Sequence, residues 1–484
     1  MKRIMNKLLL ATLALLPNMA MAQTDMMRSF DEARREMLND YNGFRKSVLD
    51  DYADYLEQVW KEYRTFKGEV RDPAPKPKAQ PDAEKTPAMP PEESAPEVTP
   101  TPLPSTPGSQ RHEPTVEPVM PAPMQQSDVT FYGIRAKAPL LKTVAVRDMK
   151  PAAVAAAWRD YAGSGMAKCA KVMADNAKAL GLNDWFTYEY VRECVNAQCK
   201  GSSETDRAVL MHFLLANMGY DVRLAVCHDM PCLLLAIDQQ VYGRGYMQTD
   251  GRKYYIYKVD GSAVPEGGSL YTCQLPEGTD AGRQLDMRIR REMRIKGGEK
   301  HRCTLEYGGM IVTAEVDVAL MEMLRHYPQM DIPQYAMSEV CLELRRSVLN
   351  QLAGYIQGMT KVEAAQKLLR FTQLAFAYAT DGEQHGYEKA YFMEENFYYP
   401  KNDCEDRAIF YAYLVRNLLG LDVHLVNFPG HECTAVNFGD ANVRGTGYIS
   451  EGKTYIICDP TYIGASIGDC MPQYRGVKPK AERW

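Results

Sequence analysis

The chain has 484 residues, of which 45% are hydrophobic and 25% charged, and its 57 basic and 62 acidic residues give a net charge of −5. This composition is that of a globular protein with enough apolar residues for two or three folded units. Because there is no basic surplus, a nucleic-acid binder that neutralises many phosphates is disfavoured. Of the 29 prolines, 16 lie between Pro73 and Pro123, so this stretch is not expected to belong to a folded core.

Residues 1–22 have the order of a secretory signal peptide. Three basic residues precede an apolar run over 8–16, and Ala20-Met21-Ala22 supplies the small residues of a cleavage site. The run is too short to span a bilayer, and no later stretch reaches the roughly 20 apolar residues of a transmembrane helix. We therefore expect a secreted or periplasmic protein, cleaved after Ala22, with no transmembrane segment.

An amphipathic segment follows, within residues 23–69. From residue 30 to residue 66 (helix 30–66) apolar residues recur at steps of three and four, which predicts one long helix with an aromatic seam. A seam of this kind must be buried. The helix is therefore expected to self-associate, to dock on a protein partner, or to dock on its own chain.

Residues 70–128 are rich in Pro, Ala, Glu, Lys, Ser and Thr and contain almost no aromatic side chains. Such a segment cannot bury enough apolar surface to order itself, so we predict a disordered, extended linker. Folded sequence resumes with the strand-like stretch 129–132.

The folded part contains an internal repeat. Residues 203–222 and 403–423 share the tripeptide Asp-Arg-Ala at an offset of 200, and four further identities follow after one inserted residue. Two copies imply two modules rather than a solenoid. We place the first module at 129–335 and the second at 336–484.

Both copies show the same pattern, in which an Asp-rich turn opens an apolar helix that ends at Gly219 or Gly420. Short strands are predicted after the second helix, over 422–427, 433–438 and 454–458. Between the copies, alternating residues over 285–295 and 310–318 predict a small antiparallel sheet with extra strands. The predicted fold is α+β, with helices packed on an antiparallel sheet in each module.

The second copy carries residues suited to nucleophilic catalysis. Cys404 follows the N-cap residue Asp403 at the start of the predicted helix 405–419, where the helix dipole favours a thiolate. His431 begins a predicted strand and can act as the base, and Asp459 at the end of another strand can orient the imidazole. We therefore predict a Cys/His/Asp triad.

These motifs resemble those of the transglutaminase-like superfamily of papain-like cysteine enzymes, in a secreted bacterial form. The resemblance covers about 338–474 well and the earlier copy weakly. It rests on Asp403-Cys404-Glu405-Asp406-Arg407-Ala408, Gly430-His431 and Asp459-Pro460-Thr461-Tyr462. It implies that Cys404 is the nucleophile, His431 the general base and acid, and Asp459 the orienting residue, in acyl transfer from an amide to water or an amine through a thioester.

The first copy departs from this pattern at the positions that correspond to the catalytic residues. The positions of the three catalytic residues fall at Glu204, near Cys232, and near Val259 or Asp260. Because a glutamate cannot form a thioester, we expect a degenerate, catalytically silent module.

The leading interpretation is an exported cysteine peptidase, amidase or transglutaminase-type acyltransferase that acts on proteins or peptides, with hydrolysis favoured. The alternative is a non-catalytic binding or scaffold protein built on the same two modules. Glycan hydrolysis is disfavoured because the sequence anchors no pair of carboxylates. His424 is a rival base, but its mid-strand position favours a structural role.

Twelve cysteines lie between Cys169 and Cys470, and the sequence leaves open whether they form disulfides or remain free. Cysteine and histidine spacing gives only a weak indication of a zinc site. No phosphate-binding glycine loop, EF-hand loop or H-E-x-x-H sequence is present, so no cofactor or metal is predicted.

Overall fold

A computed structural model describes residues 43, 46, 49–58, 60–65, 68–69, 125–264, 267–273 and 282–482. The predicted signal peptide, the predicted helix up to residue 42 and the predicted linker from 70 to 124 lie outside the described residues. None of the described helices is both long and apolar enough to cross a membrane.

Besides a helical stretch over 49–56, the described helices are α1 (Pro151–Gly163), α2 (Met166–Ala179), α3 (Asp184–Gln198), α4 (Glu204–Asn217), α5 (Val318–Arg325), α6 (Ile332–Ala336), α7 (Leu342–Ile356), α8 (Lys361–Leu374), α9 (Asp381–Gln384) and α10 (Cys404–Leu419). Two short 3-10 helices span Met393–Phe397 and Pro472–Tyr474. The described strands are β1 (Lys61–Arg64), β2 (Gln126–Phe131), β3 (Ile134–Pro139), β4 (Val222–Cys227), β5 (Met230–Ala236), β6 (Tyr246–Thr249), β7 (Arg252–Lys258), β8 (Ser269–Thr272), β9 (Lys300–Tyr307), β10 (Met310–Asp317), β11 (Ala377–Tyr378), β12 (Lys401–Asn402), β13 (Asp422–Phe428), β14 (His431–Asn437), β15 (Gly447–Ser450), β16 (Lys453–Cys458) and β17 (Lys480–Glu482).

The internal repeat corresponds to a repeated sheet. The first sheet has the order β1-β8-β4-β5-β7-β6, and the second has the order β17-β13-β14-β16-β15. Apart from β1, the two orders match strand for strand, and all pairs within these sheets are antiparallel. The fold is therefore α+β with antiparallel sheets, as the sequence predicts.

Each sheet buries both of its faces, and the alternation of side chains along a strand shows how. In β13, Val423 and Leu425 belong to the large core shared with the helices, whereas Val426 and Phe428 belong to a small cluster on the opposite face. The large core is continuous from the first module to the second. Helices α4 and α10 pack on the equivalent strand pairs β4–β5 and β13–β14.

The helix ends follow the sequence signals. Ser203 caps α4 through the backbone N–H of Asp206, whose side chain accepts the Ser203 N–H in return. Gly219 follows α4 with φ +85°, and Gly420 ends α10 with φ +59°. Both glycines adopt the left-handed conformation that terminates a helix, as predicted.

The prediction of one helix over 30–66 is wrong at the C-terminal end of that range. Residues 49–56 are helical, but Lys61–Arg64 forms β1, which pairs with the edge strand β8. Pairing satisfies backbone groups that an edge strand would otherwise expose, and this tertiary contact overrides the helical pattern. Ala53 and Leu56 are buried in the core of the first module, so this part of the segment docks on its own chain.

The prediction of a small sheet between the modules is correct for one of its two segments and wrong for the other. The stretch 310–318 contains β10, but its partner is β9 (Lys300–Tyr307) and not 285–295. The alternating apolar residues of 285–295 instead pack on the first module, where Leu285, Met287 and Ile289 are buried. Alternation thus indicated that one side of the segment is buried, and it did not indicate a partner strand in this sheet.

Candidate active site

A buried polar network fixes the chain just before Cys404, the first residue of α10. Arg407, one turn into the helix, donates from Nε to Asn402 Oδ1 at 2.9 Å. Its other nitrogens donate to the carbonyl oxygens of Gln373 and Phe376 at 3.3 and 3.0 Å. The guanidinium therefore holds the turn that positions Cys404, and its hydrogen bonds go to neutral acceptors.

His431 and Asp459 form a hydrogen-bonded pair. His431 begins β14, and Asp459 directly follows β16, which is the neighbour of β14 in the sheet. His431 Nε2 lies 2.8 Å from Asp459 Oδ2, and Asp459 Oδ1 accepts the backbone N–H groups of Thr461 and Tyr462 at 2.9 and 3.0 Å. Because the carboxylate only accepts, Nε2 carries the proton and Nδ1 is the acceptor nitrogen. Nδ1 is buried and has no hydrogen-bond partner, so it is free to take a proton.

The thiol of Cys404 does not engage that nitrogen in this arrangement. Its Sγ donates to Glu405 Oε2 at 3.2 Å. Burial raises the pKa of Cys404 well above its usual value, and the charges of Glu405 and Asp403 raise it further, whereas a hydrogen bond from the Glu432 backbone N–H opposes the rise. The expected lowering of this pKa by the helix end is therefore wrong for this state. A dipole equivalent to about half a charge is outweighed by burial, with Glu405 and Asp403 acting in the same direction as burial.

Four buried carboxylates surround the start of α10: Asp381, Asp403, Glu405 and Asp406. Oxygen atoms of Asp381, Asp403 and Asp406 lie within 4.8 Å of one another. Burial, followed by repulsion between these carboxylates, raises the pKa of Asp381 to about 8 and raises those of Asp403 and Asp406 well above their usual range. The group must hold shared protons or a cation, and these oxygen ligands would suit a hard cation.

The candidate site is closed to solvent. Cys404 is 0% exposed and His431 is 1% exposed. The ring of Tyr474 stacks on the His431 imidazole, with the centroids 5.4 Å apart and the planes at 4°, and the Tyr474 hydroxyl donates to the Pro429 carbonyl oxygen at 3.2 Å. We call residues 471–482 the C-terminal strap, which ends in β17 at the edge of the sheet. Most side chains of the strap are exposed, so the ring of Tyr474 supplies much of the contact between the strap and the site.

The sheet register identifies the corresponding residues of the first module. The equivalent pairs Val222–Leu235 and Val423–Val436 align β5 with β14 at an offset of 201 residues. The positions of the nucleophile, base and orienting carboxylate are then occupied by Glu204, Met230 and Lys258. The sequence alignment alone places the second and third of these one or two residues later, near Cys232 and near Val259 or Asp260. None of the three can perform the role of its counterpart, which agrees with a silent module.

The other sequence candidates occupy structural positions. His424 stacks on the ring of Tyr455 with the centroids 3.9 Å apart, so it packs within the sheet as expected. All twelve cysteines are free thiols, which answers the question that the sequence leaves open. Cys433 Sγ lies within 4.8 Å of ligand atoms of His431 and Asp459, although that histidine and aspartate already bind each other.

The sequence reasoning missed three features of this site: the carboxylate group, Gln373 and Tyr474. The first had a visible signal, since the run 403–406 places three acidic residues at the start of an apolar helix that must be buried. No local pattern marks Gln373 or Tyr474, because they reach the site only through tertiary packing.

No protein-family model matches the chain, and comparison with curated proteins and with solved structures finds no match either.

Proposed function

We propose that this protein is an exported cysteine enzyme that transfers the acyl group of an amide bond in a protein or peptide, with Cys404 as nucleophile and water as the favoured acceptor. The observation that carries the proposal is the buried His431–Asp459 pair. Its 2.8 Å hydrogen bond uses Nε2 and leaves Nδ1 without a partner. The residue after His431, Glu432, contributes the backbone N–H that binds the Cys404 sulfur, so the thiol lies close to the residue that carries the imidazole.

The chemistry follows from these groups. The Cys404 thiol rotates away from Glu405 and gives its proton to His431 Nδ1, and the sulfur then attacks the amide carbonyl. As the tetrahedral intermediate collapses, the C–N bond breaks and the imidazolium protonates the leaving amine, which leaves a thioester. Water then gives a proton to Nδ1 and attacks the thioester. The C–S bond breaks, the imidazolium returns the proton to the Cys404 sulfur, and the carboxylic acid product leaves. Asp459 stabilises the imidazolium through its hydrogen bond to Nε2.

The closed arrangement sets two conditions for turnover. The C-terminal strap must lift, because a substrate carbonyl cannot reach a thiol with no exposed surface. The negative charge around Cys404 must also stay low, through protonation of the carboxylate group or binding of a cation, because negative charge on Glu405 or Asp403 opposes the thiolate.

The test is turnover of a panel of quenched fluorescent peptides by the wild-type protein and by Cys404→Ala, His431→Gln and Cys433→Ala. We expect both substitutions in the triad to abolish turnover. The matched control Cys433→Ala removes another buried thiol, on β14 beside the His431–Asp459 pair, and should retain turnover. Mass spectra of products formed with and without hydroxylamine would separate hydrolysis from transfer to an amine. Normal turnover by Cys404→Ala would rule out the proposed mechanism.

A scaffold without catalytic activity is the second candidate, and a specific observation favours it. Cys404 is fully buried beside two carboxylates, and the equivalent positions of the first module are already non-catalytic. Labelling with iodoacetamide near neutral pH, read by peptide mass spectrometry, distinguishes the candidates. An enzyme whose strap opens should label Cys404 faster than the buried Cys433 and Cys458, whereas a scaffold should label all three at similarly slow rates.

A further inference from the structure

Gln373 makes an unusual set of hydrogen bonds in the last turn of α8. Its side chain is buried, and Nε2 donates to the backbone carbonyl oxygens of Asp459, Tyr462 and Ala465 at 3.0, 2.9 and 3.1 Å. An amide nitrogen has two hydrogens, so one of them is shared between two acceptors. One side chain thus fixes three points of the loop that begins at the orienting aspartate.

The remaining groups of Gln373 are also engaged. Oε1 accepts from an Arg370 guanidinium nitrogen at 3.0 Å, so the amide is oriented with its nitrogen towards the loop. The backbone carbonyl of Gln373 accepts from Arg407, which also binds the turn before Cys404. Gln373 therefore joins the loop of Asp459 to the start of the nucleophile helix.

We propose that Gln373 is a positioning residue that holds Asp459 against His431, an inference that rests on the proposed function. The Asp459 carboxylate takes its direction from its own loop, because Oδ1 accepts the N–H groups of Thr461 and Tyr462. Removal of the Gln373 donors leaves three carbonyls in the loop without these bonds, and the loop must relax to satisfy them. A displacement of about 1 Å at a catalytic group can cost about a hundredfold in rate.

The same helix provides a matched control. Gln366 lies about two turns earlier in α8, and its Oε1 accepts the backbone N–H of Ile467 at 2.9 Å. It ties α8 to the far end of the same loop, but it makes no contact with the carbonyl of Asp459. Gln366→Met should therefore loosen the helix–loop contact while leaving the His431–Asp459 pair in place.

The experiment compares Gln373→Met with Gln366→Met in the full chain, since methionine keeps the length of glutamine and removes its donors. We expect Gln373→Met to lower kcat by about tenfold to a hundredfold with KM within about twofold, and Gln366→Met to leave kcat within about twofold. The second readout needs no turnover. In protein labelled with ¹⁵N-histidine, the His431 Nε2–H resonance, assigned with His431→Gln, should be sharp and slowly exchanging in the wild type and lost only in Gln373→Met.

Equal behaviour of the two variants in both readouts would overturn the inference. Absence of turnover in the wild type and both variants, with the Nε2–H signal lost only in Gln373→Met, would refute the proposed function while supporting the role of Gln373 in holding the pair. If Gln373→Met does not fold, Arg370→Met provides a milder change, because it frees the amide that Arg370 orients. It should then weaken the same resonance, and an unchanged resonance would count against the inference.

Discussion

His212 should make the stability of the first module depend on pH. The imidazole is 0% exposed. Trp158 Nε1 donates to its Nδ1 at 3.2 Å, and its Nε2 lies 3.2 Å from the Val222 carbonyl oxygen. This pairing requires a neutral ring protonated at Nε2. Burial lowers the pKa of His212 from 6.5 to about 4, and the Val222 hydrogen bond opposes this only partly.

The sign and size of the effect follow from linkage. Above pH 6.5 both folded and unfolded chains carry a neutral His212, and the full stability is present. Between pH 6.5 and about 4 only the unfolded chain takes the proton, so the free energy of unfolding falls as the pH falls. At about 1.4 kcal/mol per pKa unit, the loss is about 3 kcal/mol, a large share of the stability of a domain.

Glutamine is the matched replacement, since it can accept from Trp158 and donate to Val222 without titrating. Urea unfolding should be followed by tryptophan fluorescence at pH 7.0, 6.0, 5.0 and 4.0 for the wild type and His212→Gln. We expect the wild type to lose about 3 kcal/mol more than the variant across this range. A difference between the two proteins that stays constant with pH would show that His212 is not held neutral by burial.

Three further predictions concern the closed site. Tyr474→Ala should accelerate iodoacetamide labelling of Cys404 by about tenfold or more, whereas Val477→Ala, in the exposed part of the strap, should not; equal rates would mean that the strap is not the cover. Glu405→Gln should increase the same labelling rate at pH 7, because the Glu405 charge raises the pKa of the thiol; a slower rate would show that the carboxylate assists deprotonation. Asp403→Asn should raise the melting temperature, and more so at pH 8 than at pH 5, because the pKa of Asp403 is raised by burial and the folded chain resists its ionisation. A lower melting temperature in that variant, together with a loss of wild-type stability in EDTA, would instead show that a cation holds the carboxylate group.

The order of elements in the second module could be read from local sequence. The apolar run after Asp403 predicted the helix that starts at Cys404, and His431 was correctly placed at the start of a strand. The repeated tripeptide predicted two related modules, and the matching strand orders of the two sheets agree with it. The starts of the helix and of the strand were predicted correctly because helix caps, apolar periodicity and turns act over a few residues.

The errors arose where the structure of a segment depends on contacts with residues far away in the sequence. Residues 61–64 have the spacing of a helix but pair with Thr272 and its neighbours, because that edge strand offers unpaired backbone groups. The stretch 285–295 alternates like a strand but packs as an extended segment on the first module. A periodic pattern indicates that one side of a segment is buried, but it does not indicate which part of the protein covers that side.

The sequence by itself determined which chemical groups are available: a cysteine at a helix start, a histidine and an aspartate at strand ends, and a first copy that lacks all three. Only the tertiary structure decided the state of those groups. It joined His431 to Asp459, enclosed Cys404 among carboxylates brought together from separate elements, fixed the aspartate loop through Gln373 and covered the imidazole with Tyr474. The physical reason is that the pKa and accessibility of a side chain depend on burial and on nearby charges, and residues far apart in the sequence supply both.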